Sequence, residues 1–485
     1  MAEQLDTGEG NRPSRGAIAV AGAVLLGSVV LRFWALDRLP GMSGDEAWLA
    51  VQAQHLLRGE PFTLRTPTHM FINPLLFATD LVVHALWPPS GWALRLPVAL
   101  WGLFGVGLFA ALAWRSWRDR ERVLAATALY AALPLGVAYS RFAWDPSFLL
   151  VVAPVVWFQA QRLADGQRAR REITLFALGA VGCLWIHMTT AVMLVALGLG
   201  AWHVAGYSLR RMLALGLGVG LVALLLARIA GLGWHAATLF IERPVRFVSS
   251  PLAALHLFSV PGLMLTGARA LSQFGGLPES PVVVAVGAVA TAAIALLAWR
   301  LRTSALASDR VLAATLLFLP LPWWLASGLF VPQDPGRERY VLWLLVPLVL
   351  AIVRGRWSRP RWILGLAVLA SVVSAGWLGA LTQQPWPDTV FRSMRTAAAE
   401  PKVALAARIQ SAAQPGTPLR VATADWWLEH PLRYLLPADA IIGRDVAAPQ
   451  FLVEWGDCGA RPDGELFVDA RARPLFCLFR HGQLR

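Results

Sequence analysis

Lysine is almost absent from this chain: of 43 lysines and arginines in 485 residues, only Lys402 is a lysine. Charge of either sign is scarce as well, at 15% of residues, against roughly 25% in soluble proteins. That scarcity excludes an ordinary soluble surface. The net charge of +14 invites a nucleic-acid reading. The arginines, however, stand in short clusters between apolar runs and form no continuous basic face, which excludes a phosphate-backbone groove. The sequence has no Gly-rich nucleotide loop and neither an HExxH nor a CxxC pattern, so no nucleotide or metal signature is present. No long internal repeat is visible. A cleavable signal peptide is not expected either. The first apolar run, 17–36, is about 20 residues long, spanning length rather than that of a signal-peptide core.

What the chain has in excess is apolar residues, 57% of the total, where soluble domains run about 45–50%. The expectation is an all-α polytopic membrane protein. About 11 transmembrane helices are read from hydropathy: 17–36, 92–114, 122–140, 146–163, 173–187, 189–206, 212–231, 281–300, 309–329, 340–354 and 362–381. Arginine clusters occupy every second loop: Arg115 to Arg122, Arg162 to Arg171, Arg210 and Arg211, Arg300 to Arg310, and Arg354 to Arg361. Together with Arg12 and Arg15 they place the N-terminus in the cytoplasm of a cell whose plasma membrane holds the protein. The loops around Asp45, Asp145, 232–280 and 331–339 then face outward, as does the tail. The apolar segment 71–88 carries Asp80 and His84, and a span there would break the arginine alternation. It reads as a helix in the outer interface.

The tail changes character. "VALAARIQSAA" and "WWLEHPLRYLL" read as helices, and "LRVATAD", "AIIGRD", "QFLVEW", "GELFVD" and "PLFCLFRH" as short strands. The predicted organisation is a cytoplasmic tail 1–16, a membrane unit 17–384 with an outer loop 37–91, and a small extracytoplasmic α/β domain 385–485. Of the three cysteines, Cys183 lies in a span. Cys458 and Cys477 share the outer domain, where a disulfide and two buried thiols are both open readings.

Three outer sites carry chemistry. "SGDEAWLAVQAQHLL" starts a helix with Asp45 and Glu46 in its first turn, where capping competes with catalysis. "YSRFAWDPSFLL" places Arg141 and Asp145 at another outer edge, and Asp145 before Pro146 also suits a helix start. "VPQDPGRERYVLWLLVP" puts Arg337 and Arg339 outside, against the charge bias, where arginine suits bidentate phosphate binding. His187, in "LWIHMTT", reads as a buried, hydrogen-bonded histidine. Acids and arginines converging at headgroup height fit a reaction between a lipid phosphate and a hydroxyl acceptor. A carboxylate takes the hydroxyl proton, and arginines stabilise the phosphate.

The order of "GDEAWLA", "ALRLPVAL" and "SRFAWDPS" resembles the GT-C membrane glycosyltransferases of family 39, the protein O-mannosyltransferases and aminoarabinose transferases. The resemblance covers about the first 170 residues closely and the rest by architecture. It implies an inverting transfer of a sugar from a polyprenyl-phosphate donor to an extracytoplasmic acceptor (protein, lipid or glycan). Asp45 maps onto the catalytic position, with Glu46 beside it and Asp145 as the second acid. Arg337 or Arg339 maps onto the lipid-phosphate contact, and Arg141 flanks the site. Relatives often carry Lys-Pro-Pro where this chain reads "HMFINPLL", so His69 or Asn73 takes that place. No cofactor is assigned, and a divalent metal is left open. Two rivals remain at this level: a transporter or flippase of a lipid-linked glycan, which needs charges inside its spans, and a noncatalytic scaffold.

Overall fold

The structure, a computed structural model, describes residues 13–65, 72–117, 119–167, 169–186, 190–205, 208–229, 251–266, 281–320, 337–355, 359–383, 400–459, 464–468, 472 and 474–480. Its membrane part is helical. The helices are α1 (Arg15–Phe33), α2 (Gly44–Leu57), α3 (Pro74–Leu86), α4 (Gly91–Trp117), α5 (Arg120–Ala132), α6 (Pro134–Tyr139), α7 (Leu149–Ala164), α8 (Arg170–Ile186) and α9 (Thr190–Ala205). They continue as α10 (Leu209–Ile229), α11 (Pro251–Thr266), α12 (Pro281–Leu301), α13 (Ala307–Phe318), α14 (Leu345–Arg354) and α15 (Pro360–Gln383). Two 3-10 segments, Asp145–Phe148 and Arg337–Leu344, run directly into α7 and α14.

Among the described residues, 5 helices are long and apolar enough to cross a membrane: Arg15–Phe33, Gly91–Trp117, Asp145–Ala164, Val284–Leu301 and Pro360–Gly379. Pro74–Leu86, Thr190–Val204 and Val341–Arg354 are shorter apolar helices. The outward faces are apolar. Leu26, Phe104, Val289 and Val372 are 66%, 54%, 71% and 62% exposed, a surface that suits lipid and not water.

The expected span 122–140 is not continuous. It breaks into α5 and α6 at Leu133–Pro134, because proline lacks an N–H and disfavours a helical residue before it. At 13 residues, α3 is only about 20 Å long. That is too short for a hydrocarbon core of about 30 Å. Close contacts between helices fall on glycines. A Cβ on Gly105 of α4 would lie 2.9 Å from the Leu150 carbonyl oxygen of α7.

The tail folds as α16 (Glu400–Ala412), β1 (Arg420–Thr423), α17 (Trp426–Leu435), β2 (Ile441–Gly443), β3 (Phe451–Trp455), β4 (Glu465–Val468) and β5 (Pro474–Arg480). The strand order is β2-β1-β3-β5-β4. β1 is parallel to both β2 and β3, and β5 is antiparallel to β3 and β4. Leu405, Ile409, Val421, Leu428, Val453 and Phe476 form its own apolar core. Cys458 and Cys477 are joined in a disulfide, so the first of the two sequence readings holds. The bridge closes a loop with a sequence separation of 19 and constrains the unfolded tail. Replacing both cysteines with serine is expected to lower the stability of this unit by about 2–4 kcal/mol. A thermal scan in detergent that leaves the tail's transition unmoved would contradict this.

Candidate active site

The site is assembled around the start of α2. Ser43 has extended backbone and is the N-cap. Its hydroxyl accepts from the Glu46 backbone N–H at 3.4 Å, while Glu46 Oε2 accepts from the Ser43 N–H at 3.0 Å. This reciprocal pair is a capping box. Capping of α2 therefore rests with Ser43 and Glu46, and Asp45, half-buried between them, is not the cap.

Glu46 is completely buried. It receives a bidentate pair from Arg95 of α4, Nε to Oε1 and Nη2 to Oε2, both at 3.0 Å. Oε1 also accepts from the Ala143 backbone N–H at 2.9 Å. Both oxygens are thus doubly engaged. Arg95 is just as fully used. Nη1 donates to the Leu36 and Pro40 carbonyls, and Nη2 donates to the Gly41 carbonyl at 2.9 Å. All five of its N–H donors meet acceptors. One buried ion pair therefore ties the 36–41 loop, α2, α4 and the 143 loop together. Sequence placed Glu46 beside Asp45 in the chemistry; the structure buries it in hydrogen bonds to Arg95, Ser43 and Ala143.

Asp145 starts the 3-10 segment two residues beyond Ala143. Its Oδ1 accepts from the Asn73 backbone N–H at 3.1 Å. Asp45 and Asp145 are close enough for their charges to interact. Asn73 caps α3 through Oδ1, which accepts from the Leu75 N–H at 2.9 Å. Its Nδ2 is buried without a hydrogen-bond partner among the described residues.

Arg141, expected from sequence to flank the substrate, is tied to backbone through both Nη groups, while its Nε is buried without a hydrogen-bond partner among the described residues. It is buried, with Nη1 donating to the Leu31 and Arg32 carbonyls at 2.6 and 3.1 Å. Nη2 donates to Trp34, Ala35 and Leu39 at 2.8, 3.2 and 2.7 Å. The cation neutralises the carbonyl end of α1, which leaves neither Nη group open for a phosphate. Arg32 within α1 is likewise buried against carbonyls of Ser28 and Ala131 at 3.0 and 2.9 Å. The buried arginines that α1 and the 139–144 turn carry tie α1 to its neighbours through backbone carbonyls.

The segment Arg337–Leu344 packs against Asp145–Phe148 and α7. The backbones of Arg337 and Arg339 belong to it, while their side chains lie outside the described ones. His69 and His187 lie outside the described residues. Among the described residues, no three His, Cys, Asp or Glu side chains gather closely enough to hold a metal ion.

Sequence reading missed three groups. Arg95 was visible only as part of "ALRLPVAL". Asp80 of α3 is fully buried with neither carboxyl oxygen hydrogen-bonded. Burial, then the charges of Asp145 and Glu46, hold its carboxyl well above the usual range. An acid inside an apolar segment was the available signal. Lys402 was noticed only for its rarity.

No family model matches the chain, and no curated protein does. It is similar to the crystal structure of ArnT from Cupriavidus metallidurans bound to undecaprenyl phosphate: 16% identity, 96% of this chain and 98% of that one covered, TM-score 0.48. The apo state of that protein gives 17% identity, the same coverage of 96% and 98%, and a TM-score of 0.42. The Archaeoglobus fulgidus oligosaccharyltransferase in complex with Zn and sulfate gives 13% identity, 87% and 62% coverage, and a TM-score of 0.44.

Proposed function

We propose that the protein is a membrane glycosyltransferase. It moves a sugar from a polyprenyl-phosphate carrier to a hydroxyl acceptor outside the cytoplasm, with Asp45 as general base. The observation that carries this reading is the division of labour within the acid pair. Glu46 is sealed by Arg95, Ser43 and Ala143. Asp45 lies outside the capping box, half-buried, and near enough to Asp145 for their charges to interact.

In the proposed reaction the acceptor oxygen bonds to the anomeric carbon from the face opposite the phosphate. Its proton passes to Asp45 Oδ, and the C–O bond to phosphate breaks with inversion. Phosphate leaves as a stable anion, so no acid is assigned to it. Asp145 orients the acceptor or the sugar. The unpaired Asn73 Nδ2 donates to the bound donor. Arg337 and Arg339, on the segment packed against Asp145–Phe148, are assigned to the lipid phosphate. The reading places the protein in the plasma membrane with its N-terminus in the cytoplasm and its α/β domain outside.

The experiment is transfer from a panel of radiolabelled polyprenyl-phosphate sugars by the purified protein in nanodiscs. Release of sugar from at least one donor onto a hydroxyl acceptor is expected. Replacing both Arg337 and Arg339 with Gln is expected to raise the donor concentration needed for half-maximal rate more than the acceptor concentration. Transport of an intact lipid-linked sugar without its cleavage would overturn the proposal.

A further inference from the structure

A chain that uses arginine almost everywhere keeps its single lysine at a fully buried position. Lys402 sits in the first turn of α16, and its Nζ donates to the Met42 carbonyl at 2.5 Å. Met42 is three residues before Asp45 and is itself buried. The hydrogen bond therefore joins the outer domain to the turn that presents the proposed base.

The same turn is covered by α17. A Cβ on Gly44 would lie 2.7 Å from Trp427 Cε3 and 3.1 Å from Trp427 Cα. Only glycine lets α17 lie this close to α2. Asp425 caps α17 by accepting from the Trp427 and Leu428 N–H groups at 3.0 and 3.2 Å, and its Oδ2 accepts from Trp455 Nε1 at 2.9 Å. Beyond the far end of α2, Tyr434 of α17 is buried in the membrane unit's own core. Its hydroxyl donates to the Ser90 carbonyl at 2.9 Å, and it lies 3.0 Å from His84 Nε2. The domain is thus docked on the helix that carries Asp45 and on the α3–α4 region.

The charges facing Lys402 are Asp425 from α17, Glu46 from α2 and Arg95 from α4. A compact ammonium suits one carbonyl flanked by acids, whereas a planar guanidinium would bring five donors to a place with one acceptor. A buried cation is costly, so its presence here calls for a role.

We propose that the outer domain is part of the transfer centre, with Lys402 as the positioning residue that holds the Met42–Asp45 turn. This rests on the glycosyltransferase reading for its consequence, but not for its geometry. With Lys402 in place, the turn is fixed and the Asp45 carboxylate points at a constant place. Without it, the turn loosens and the base loses its alignment, while the donor's lipid and phosphate contacts are unaffected.

Lys402→Met is expected to fold and insert, and to lose roughly 10- to 100-fold in kcat, as a misplaced group does. The KM for donor should change little. Amide hydrogen exchange over residues 41–47 should become at least about tenfold faster. Asp45→Asn run in parallel should lose transfer without faster exchange. If no variant or wild type transfers sugar, the exchange measurement alone still decides the positioning claim. Wild-type exchange at 41–47 in Lys402→Met overturns it.

Should the methionine variant not accumulate, Trp427→Ala carries the test, because it removes the ring over Gly44 and leaves Lys402 intact. It should show the same faster exchange, and unchanged exchange overturns the claim.

A pH series adds a sign. Burial is the main cause holding Lys402 down to about 7, with Arg95 adding to it and Asp425 and Glu46 opposing. Between there and the ordinary lysine range near 10.4, the unfolded chain binds a proton that the folded chain has released. Stability then rises with pH across that window. The melting temperature of wild type relative to Lys402→Met should increase from pH 7 to 10, and a flat difference overturns the buried placement of the ammonium.

Discussion

Asp45→Asn should fold, insert and lose at least about a hundredfold in sugar transfer, the scale of general base catalysis. The substitution keeps the size of the side chain and one acceptor oxygen and removes its proton-accepting charge. Its structural cost is small because the N-cap is Ser43 and the box is closed by Glu46. The charge of an acid in the first turn contributes about 0.3–1 kcal/mol to the helix. A change of that size does not lower a rate a hundredfold. If Asp45 served only the helix, transfer by a well-folded variant would be near normal, and that outcome would sink the assignment.

The second large effect is on stability. Arg95→Met is expected to destabilise the membrane unit by about 3–5 kcal/mol, the range for removing one partner of a buried ion pair. Glu46 would stay buried with its charge uncompensated, and the Leu36, Pro40 and Gly41 carbonyls would lose their donor. Because Glu46 also accepts from the Ala143 N–H, two residues before Asp145 in the chain, the segments carrying both acids of the site would lose a common anchor. Transfer should fall with stability. The double variant Arg95→Met, Glu46→Met should recover much of the lost stability, since the buried charge is gone, yet should not recover transfer. Denaturation in mixed micelles measures both variants. A cost under about 1 kcal/mol for Arg95→Met would show that this pair is not what holds the loop.

Much of the architecture was legible in local pattern. Apolar runs of spanning length gave α1, α4, α7, α12 and α15, because the bilayer rewards uninterrupted apolar length. The tail's strands and two helices were readable from alternation and from the turn residues between them. The break at Pro134 was not anticipated, since hydropathy averages over a residue whose missing N–H ends a helix. The candidate site was half legible. Asp45, Asp145 and Asn73 were picked out in three separate stretches, and the structure brings them together through the Asn73 N–H and the proximity of the two acids. Arg141 shows a second use of charge at an outer edge: both Nη groups are taken up by five carbonyls at the end of α1, while its Nε is buried without a hydrogen-bond partner among the described residues.

By itself, the sequence determined that this chain lives in a membrane, that its tail folds as helices and short strands, and that an acid pair opens a helix. Those properties depend on composition and on spacings of two to four residues, which a linear reading contains. Only the tertiary structure decided that Glu46 is held by Arg95, Ser43 and Ala143, while Asp45 lies outside the capping box. It also decided that the lone lysine reaches the turn before Asp45. Glu46 meets Arg95 across 49 residues, and Lys402 meets Met42 across 360. Neither partner leaves a periodic trace near the other, because these contacts arise from packed helices and not from the local period of the chain.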